Sequence, residues 1–175
     1  VTEVPTQLVR SATPEDSEAI ASIYNRYVLE STATFELNPV DAAMVTERMA
    51  NSPNGLRWQV VEGSAGRVVG YASVARWKPR GGYARTVETS VFVDIACQGC
   101  GFGNAVYGQL LDEVWAHGYH AALAGIALPN AASVGLHERL GFRPAGVLRE
   151  VGFKLGRWID VGYWQALDPG ARHPA

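Results

Sequence analysis

Residues 97 to 120, CQGCGFGNAVYGQLLDEVWAHGYH, carry side chains suited to three different chemistries. Cys97 and Cys100 open the stretch as a C-x-x-C pair, His117 and His120 close it as H-x-x-H, and Gly99, Gly101 and Gly103 lie between. Two cysteines and two histidines suggest a zinc clamp. A C-x-x-C just before a helix suggests a redox dithiol, because a helix N-terminus stabilises a thiolate. Glycines between a strand and a helix suggest an anion cradle, where bare backbone lets several N–H groups converge on a phosphate.

Geometry sorts these. A helix over 103 to 117 rises about 1.5 Å per residue, so the two pairs stand roughly 20 Å apart, while zinc holds its ligands within about 2.3 Å. No metal is expected. A thioredoxin-like dithiol follows the first strand of its fold, whereas this pair lies past the middle of the chain, and two plain loop thiols are the simpler reading. The cradle remains, with a reservation about familiar nucleotide folds. The turn follows a middle strand, and no Gly-Lys-Ser/Thr ends it.

The elements that must position this turn can be read from periodicity. A short apolar start, QLVRSA, reads as a first strand; TPEDSEAIASIYNRYVLEST then begins with Thr13 as a cap and Pro14 at a first helical position, and Ile20, Ile23, Tyr24, Tyr27 and Val28 recur at helical spacing. A weaker helix is predicted over DAAMVTERMANS, stopped by Pro53, Asn54 and Gly55. RWQVVE and VVGYASVARW, joined by GSAGR, predict a hairpin, and TVETSVFV a central strand. After the helix from Gly103 to its stop at Gly118 come the buried strand AALAGIAL, the helix NAASVGLHERL opened by Asn130 or Ser133, and two final strands. The fold class is α/β, a mixed central sheet flanked by helices. Residues 1–168 are expected to form one domain and 169–175 a fraying tail.

Composition narrows the partners. The 175 residues are 47% hydrophobic and 18% charged, with a net charge of −2. That is neither the basic excess of a nucleic-acid binder nor the charge density of a disordered tail. No apolar run is long enough for a membrane span, the N-terminal stretch lacks a signal-peptide layout, and two neighbouring cysteines make no disulfide framework. A cytoplasmic protein acting on small molecules is expected, with no nucleic-acid or membrane partner.

QGCGFG resembles the Q/R-x-x-G-x-G/A signature of the GCN5-related N-acetyltransferases, and NAASVGLHERLGF resembles a second segment of that family. STATF, RWKPRGGY, TVETSVFV and GRWIDVGYWQ together resemble the branch acting on phosphinothricin and methionine sulfoximine. The resemblance implies an acetyltransferase fold, acetyl-CoA as cofactor, transfer to the amine of a small amino-acid-like acceptor in a ternary complex, and a homodimer.

Acetyl transfer needs a phosphate seat, a donor to the thioester oxygen, a proton acceptor and a holder for the amine's body. The seat falls to Gln98, Gly99, Cys100, Gly101, Phe102, Gly103 and Asn104. By resemblance, Val93 or Phe92 supplies the N–H to the carbonyl, and Asn130 and Ser133 meet the pantetheine arm; both are also good helix caps. Glu88, an acid inside an apolar strand, is the candidate base, with a solvent-facing strand position as its plain alternative. His137 stands where many relatives have Tyr, able to accept the amine's proton or give one to sulfur, or simply to pack. Lys78, Arg80, Tyr83 and Arg85 form a basic loop suited to a carboxylate, and Phe35 resembles an aromatic of the acceptor pocket.

Two other readings compete: an acetyl-CoA sensor without turnover, and acetylation of a polyamine or protein N-terminus. Glu88 and His137 speak against the first. A basic rather than acidic loop speaks against a polyamine. One departure from the family is Cys100, which replaces a basic residue common in the Gly-rich turn. A thiol at the pyrophosphate should make the protein sensitive to thiol reagents and acetyl-CoA protective; equal inactivation rates with and without acetyl-CoA would exclude it.

Overall fold

In the computed structural model, residues 7–170 are described; residues 1–6 and 171–175, including most of the expected tail, lie outside them. The elements run β1 (Leu8–Ser11), α1 (Ser17–Glu30), α2 (Ala42–Ala50), β2 (Gln59–Glu62), β3 (Val68–Arg76), β4 (Thr86–Val93), α3 (Phe102–Ala116), β5 (Ala121–Ala127), α4 (Ala131–Arg139), β6 (Arg143–Lys154) and β7 (Arg157–Leu167). This is the order expected from periodicity. One seven-stranded sheet carries them in the order β1-β2-β3-β4-β5-β7-β6. All neighbours are antiparallel except β4 and β5, whose parallel pairing spans only Thr86–Glu88 against Ala121–Leu123.

The two faces of the sheet are told apart by alternation along β4. Phe92 meets Tyr24 and Tyr27 of α1 edge-on, both at 5.1 Å, whereas Thr89 bonds Tyr107 of α3. Helix α1 therefore lies on one face and α3 on the other. The core is continuous through the sheet: Val60, Val74 and Val87 from the strands and Val106, Leu110 and Val114 from α3 are all essentially fully buried. The α3 residues recur every four positions, the stripe a helix needs to bury one side.

Helix ends follow local chemistry. Asp41 Oδ1 accepts from the Met44 amide at 2.8 Å and caps α2, and Asn130 accepts from the Ser133 amide at 3.0 Å and caps α4. The expected start of α1 at Pro14 is modified. Residues Pro14–Asp16 form a 3-10 turn and the α-helix begins at Ser17. The reason is Asp16, whose carboxylate accepts from the Thr13 amide at 2.8 Å and receives both terminal nitrogens of Arg10 at 2.7 and 2.8 Å. Arg10 also donates to Glu62 at 2.7 Å, so one guanidinium ties β1, β2 and the entry to α1.

The Arg10 guanidinium holds the buried Asp16 carboxyl below its ordinary range, more than burial raises it. A depressed folded-state pKa gives stability that is complete above the unfolded carboxyl's pKa and is lost as pH falls through the lower folded value. Asp16→Asn is thus expected to cost about 1–3 kcal/mol at pH 7. The gap to the native protein should close as the pH falls below about 4. Thermal unfolding at both pH values checks it; a gap that persists in acid would assign the loss to packing.

Candidate active site

Beyond Glu88 and Leu123 the two middle strands part. Strand β4 keeps its other edge on β3 as far as Val93, and β5 keeps its other edge on β7 as far as Ala127. A cleft of about 870 Å³ opens between them, lined by Thr89–Val93, Gly125–Ala127, the turn before α3, and the first turns of α3 and α4. At its vertex the Thr89 hydroxyl reaches the Leu123 carbonyl at 3.3 Å and lies 2.7 Å from the Tyr107 hydroxyl. The Thr89 proton goes to the carbonyl, so Tyr107 donates to Thr89.

One cleft wall is bare backbone. The Asp94 amide donates to the Val69 carbonyl at 2.8 Å, toward β3, and alternation then turns the amides of Val91 and Val93 toward the cleft. Of the two expected carbonyl donors, the structure presents Val93 and uses Phe92's amide in the ladder. The Val93 carbonyl, on the same side, accepts from the Tyr27 hydroxyl.

The end of the cleft is the Gly-rich turn. Gly99 and Gly101 have φ of +76° and +86°, which favours residues without Cβ. No side chain caps α3, and its backbone ladder begins with Ala105 donating to Gly101 at 3.1 Å. The amides of Phe102, Gly103 and Asn104 are left without helical acceptors, as an anion seat requires. Gln98 lines the cleft, but one of its amide hydrogens goes to the Tyr27 hydroxyl at 2.8 Å, so Tyr27 links the end of β4 to the turn.

Cys100 departs from expectation. It is exposed and absent from the cleft wall, with its Sγ 3.7 Å from the Gln98 carbonyl and its own carbonyl accepting from Gln7 at 2.9 Å. Cys97 lines the cleft instead, 3.6 Å from Arg67 Nη2, while Nη1 of the same guanidinium pairs with Asp94 at 2.8 Å. No group of three or more His, Cys, Asp or Glu positioned for a metal occurs among the described residues.

Asn130, Ser133 and His137 all line the cleft. His137 is 3% exposed, edge-on to Tyr107 at 5.0 Å and Phe142 at 5.1 Å. Its Nδ1 lies 2.8 Å from the Ser133 carbonyl, and a carbonyl only accepts, so this hydrogen-bond network places the proton on Nδ1. Nε2 is then a buried acceptor with no partner. Burial lowers the ring's pKa and outweighs the Ser133 carbonyl, so the neutral imidazole prevails. A neutral ring with a bare Nε2 takes a proton or a hydrogen bond and has none to give.

Glu88 alternates with Thr89, so it faces the α1 side, opposite His137. Burial raises its pKa, and Lys78 pulls it partway back. Lys78 lies 4.9 Å from the Trp77 ring centre, and Glu88 in turn raises Tyr163 after burial has done so. Of the acceptor candidates, Lys78 is near enough for its charge to act on Glu88, without an ion pair between them among the described residues. Arg80, Tyr83 and Lys78 itself line a small hollow of about 130 Å³ with Pro53, Asn54 and Tyr119. The Arg85 carbonyl accepts from the His120 and Ala121 amides, and its side chain is exposed. Phe35 is 38% exposed, with its ring over Gly152. Tyr27, Tyr107 and Tyr163 escaped the reading of the sequence, since each fits the apolar periodicity of its element, as did Thr89 within β4 and Trp77 just past β3, which nothing in their local pattern sets apart.

The class of protein is now defined. A sequence model of the acetyltransferase (GNAT) domain matches residues 9–162, and the chain belongs to that family. It is 38% identical to a phosphinothricin N-acetyltransferase of Streptomyces viridochromogenes, over 90% of this chain and 85% of the relative. It is 39% identical to an L-methionine sulfoximine/L-methionine sulfone acetyltransferase of Pseudomonas aeruginosa, over 95% and 98%. The acetyl-CoA complex of yncA from Salmonella typhimurium superposes with a TM-score of 0.89 at 36% identity, covering 97% of this chain and 98% of that one.

Tyr27→Phe keeps the ring but loses the bonds to Val93 and Gln98. Each is worth about 0.5–1.5 kcal/mol. Coenzyme A affinity measured by calorimetry is expected to fall roughly 3- to 30-fold; unchanged affinity would show that Tyr27 does not set the turn.

Proposed function

We propose that this chain is an acetyl-CoA-dependent N-acetyltransferase acting on the α-amine of a small amino acid of the phosphinothricin or methionine sulfoximine type, by direct transfer in a ternary complex. The observation that carries this is the parting of β4 from β5, with an uncapped helix tip at one end of the gap and Glu88 at its vertex. The residues fit the cofactor on the structure's own terms: uncapped amides suit the pyrophosphate, the bare edge of β4 suits the pantetheine amides, and the unpartnered His137 Nε2 suits a donor inside the cleft.

Bound there, acetyl-CoA supplies an activated acetyl thioester. The Val93 amide is placed to polarise its carbonyl. Glu88, on the opposite face, takes a proton from the acceptor's ammonium, directly or through water, and so frees the lone pair that attacks. Lys78 balances the acceptor's carboxylate. His137 would offer its unpartnered Nε2 as a hydrogen-bond acceptor to a coenzyme bound in the cleft. Cleavage of the C–S bond leaves the acetyl on nitrogen, and the second amine proton passes to sulfur.

Residues 1–168 would act as one such domain. The edge strand β6 supports a homodimer. Val147, Leu148, Val151 and Phe153 are all more than two-fifths exposed on it, and Trp158 of β7 is 62% exposed against Phe153. An exposed apolar edge strand is a template for pairing with a second chain. The relatives' names support the acceptor class, and no helix among the described residues is long and apolar enough to cross a membrane.

Since activity needs the Glu88 carboxylate and burial raises its pKa, the acidic limb of kcat/KM should lie above the ordinary glutamate value. Lys78→Met removes the charge that stabilises the carboxylate, so the limb should move to higher pH. Glu88→Gln should abolish the limb and lower kcat by roughly 10²-fold or more while coenzyme A binding holds. Thiol release with an acceptor panel measures all three; a limb that survives Glu88→Gln would move the base elsewhere.

A further inference from the structure

Gly125 sits inside β5 without the reasons that other glycines of this fold display. Gly99 and Gly101 have positive φ, and a Cβ on Gly152 or Gly162 would overlap the ring of Phe35 or Trp164. Gly125 has ordinary strand φ. A Cβ there would meet Tyr163 Cε1 at 3.5 Å, Val161 Cγ1 at 3.6 Å and Tyr163 Cζ at 3.8 Å, all normal contacts. An alanine would fit. Glycine inside a strand destabilises it relative to alanine. Where neither backbone nor packing asks for it, it marks the close approach of a ligand.

The position agrees. Gly125 is exposed between buried Ala124 and Ile126, lies two residues past the last rung of β4 and β5, and lines the cleft. Tyr163 is its partner across β7 and stands edge-on to Trp77, 5.5 Å between ring centres. Register and alternation put Trp77, Glu88, Leu123, Gly125 and Tyr163 on one face, because Ala75 pairs with Glu88, and Glu88 with Leu123. Neither the Glu88 carboxylate nor the Tyr163 hydroxyl makes a hydrogen bond or ion pair among the described residues. A bare floor, two rings, and an acid and a hydroxyl without partners thus meet beside the Lys78 ammonium.

The geometry points to Gly125, Trp77 and Tyr163 as the wall that recognises the acceptor. The amino acid's Cα and side chain lie against the two rings, in the space a side chain at 125 would fill, with the amine turned toward Glu88. Selectivity by side-chain length resides in this wall. The inference rests on the acetyltransferase reading above and assigns residues that reading leaves without a role.

The test uses the full chain saturated with coenzyme A, with acceptor binding read by calorimetry and turnover by thiol release from acetyl-CoA. Gly125→Ala is expected to weaken methionine sulfoximine at least 10-fold and alanine less, with coenzyme A affinity within twofold of native and an unfolding temperature equal to or above native. Trp77→Leu, which leaves the cleft untouched, should weaken the acceptors in the same order and serves if the first variant misfolds. Native-like methionine sulfoximine binding by either folded variant overturns the wall. A loss equal for all acceptors and matched by weaker coenzyme A binding also overturns it, placing Gly125 in the service of the coenzyme. Acceptor binding without thiol release contradicts acetylation and leaves the wall standing; a native protein that binds no acceptor overturns both.

Discussion

A single hydroxyl pair stands where the sheet divides. Thr89 reaches the Leu123 carbonyl at the last rung between β4 and β5, and Tyr107, fully buried on α3, donates to Thr89 from below. Above this point both strands keep their outer partners and lose each other, so a sheet that elsewhere satisfies its own backbone offers N–H groups to a ligand. Tyr107 also carries His137 edge-on against its ring, at 5.0 Å. The vertex, the helix that braces it and the buried imidazole therefore form one packed unit.

The split assigns different chemistry to the two faces. On the α3 side the groups suited to a coenzyme are mostly main chain: the amides of Val91 and Val93, and the uncapped amides at the tip of α3. Backbone donors carry no titratable charge and hold their direction without side-chain entropy loss. On the α1 side the groups are side chains, Glu88 and Lys78 beside two aromatic rings. A base at Glu88 and a neutral acceptor at His137 on opposite faces cannot exchange protons with each other. Each can then keep its own protonation state while a reacting group passes between them.

The sequence was legible where physics is local. Helices and strands declared themselves by periodicity, and every element appeared in its expected order, although in β6 the apolar residues stay exposed rather than match burial. Glu88 stood out as an acid in an apolar strand, and Gly99 and Gly101 as turn glycines. What stayed hidden depends on which face or neighbour a residue meets. Tyr27 and Tyr107 read as core aromatics, yet their hydroxyls organise the cleft. Arg80, Tyr83 and Arg85 are near Glu88 along the chain, but a 3-10 turn at Gly81–Tyr83 intervenes before β4 and carries Arg80 and Tyr83 to another hollow. Cys97 lines the cleft and Cys100 does not, because the positive φ at Gly99 turns the chain between them.

One buried cation joins the outer hairpin to the seat. Lys154, at the end of β6 and only 4% exposed, donates to the Thr34 carbonyl at 2.8 Å and the Tyr27 carbonyl at 3.4 Å. Burial lowers its pKa and Glu36 opposes that, while carbonyls at the C-terminal end of a helix are natural acceptors for a charge. Beside it, Phe35 lies over Gly152, so the loop after α1 and the β6–β7 hairpin are held at two points. Tyr27 thus answers to both ends of the molecule: its carbonyl to the hairpin, its hydroxyl to Val93 and Gln98. The outer hairpin and the Gly-rich turn are thereby tied to one residue of α1.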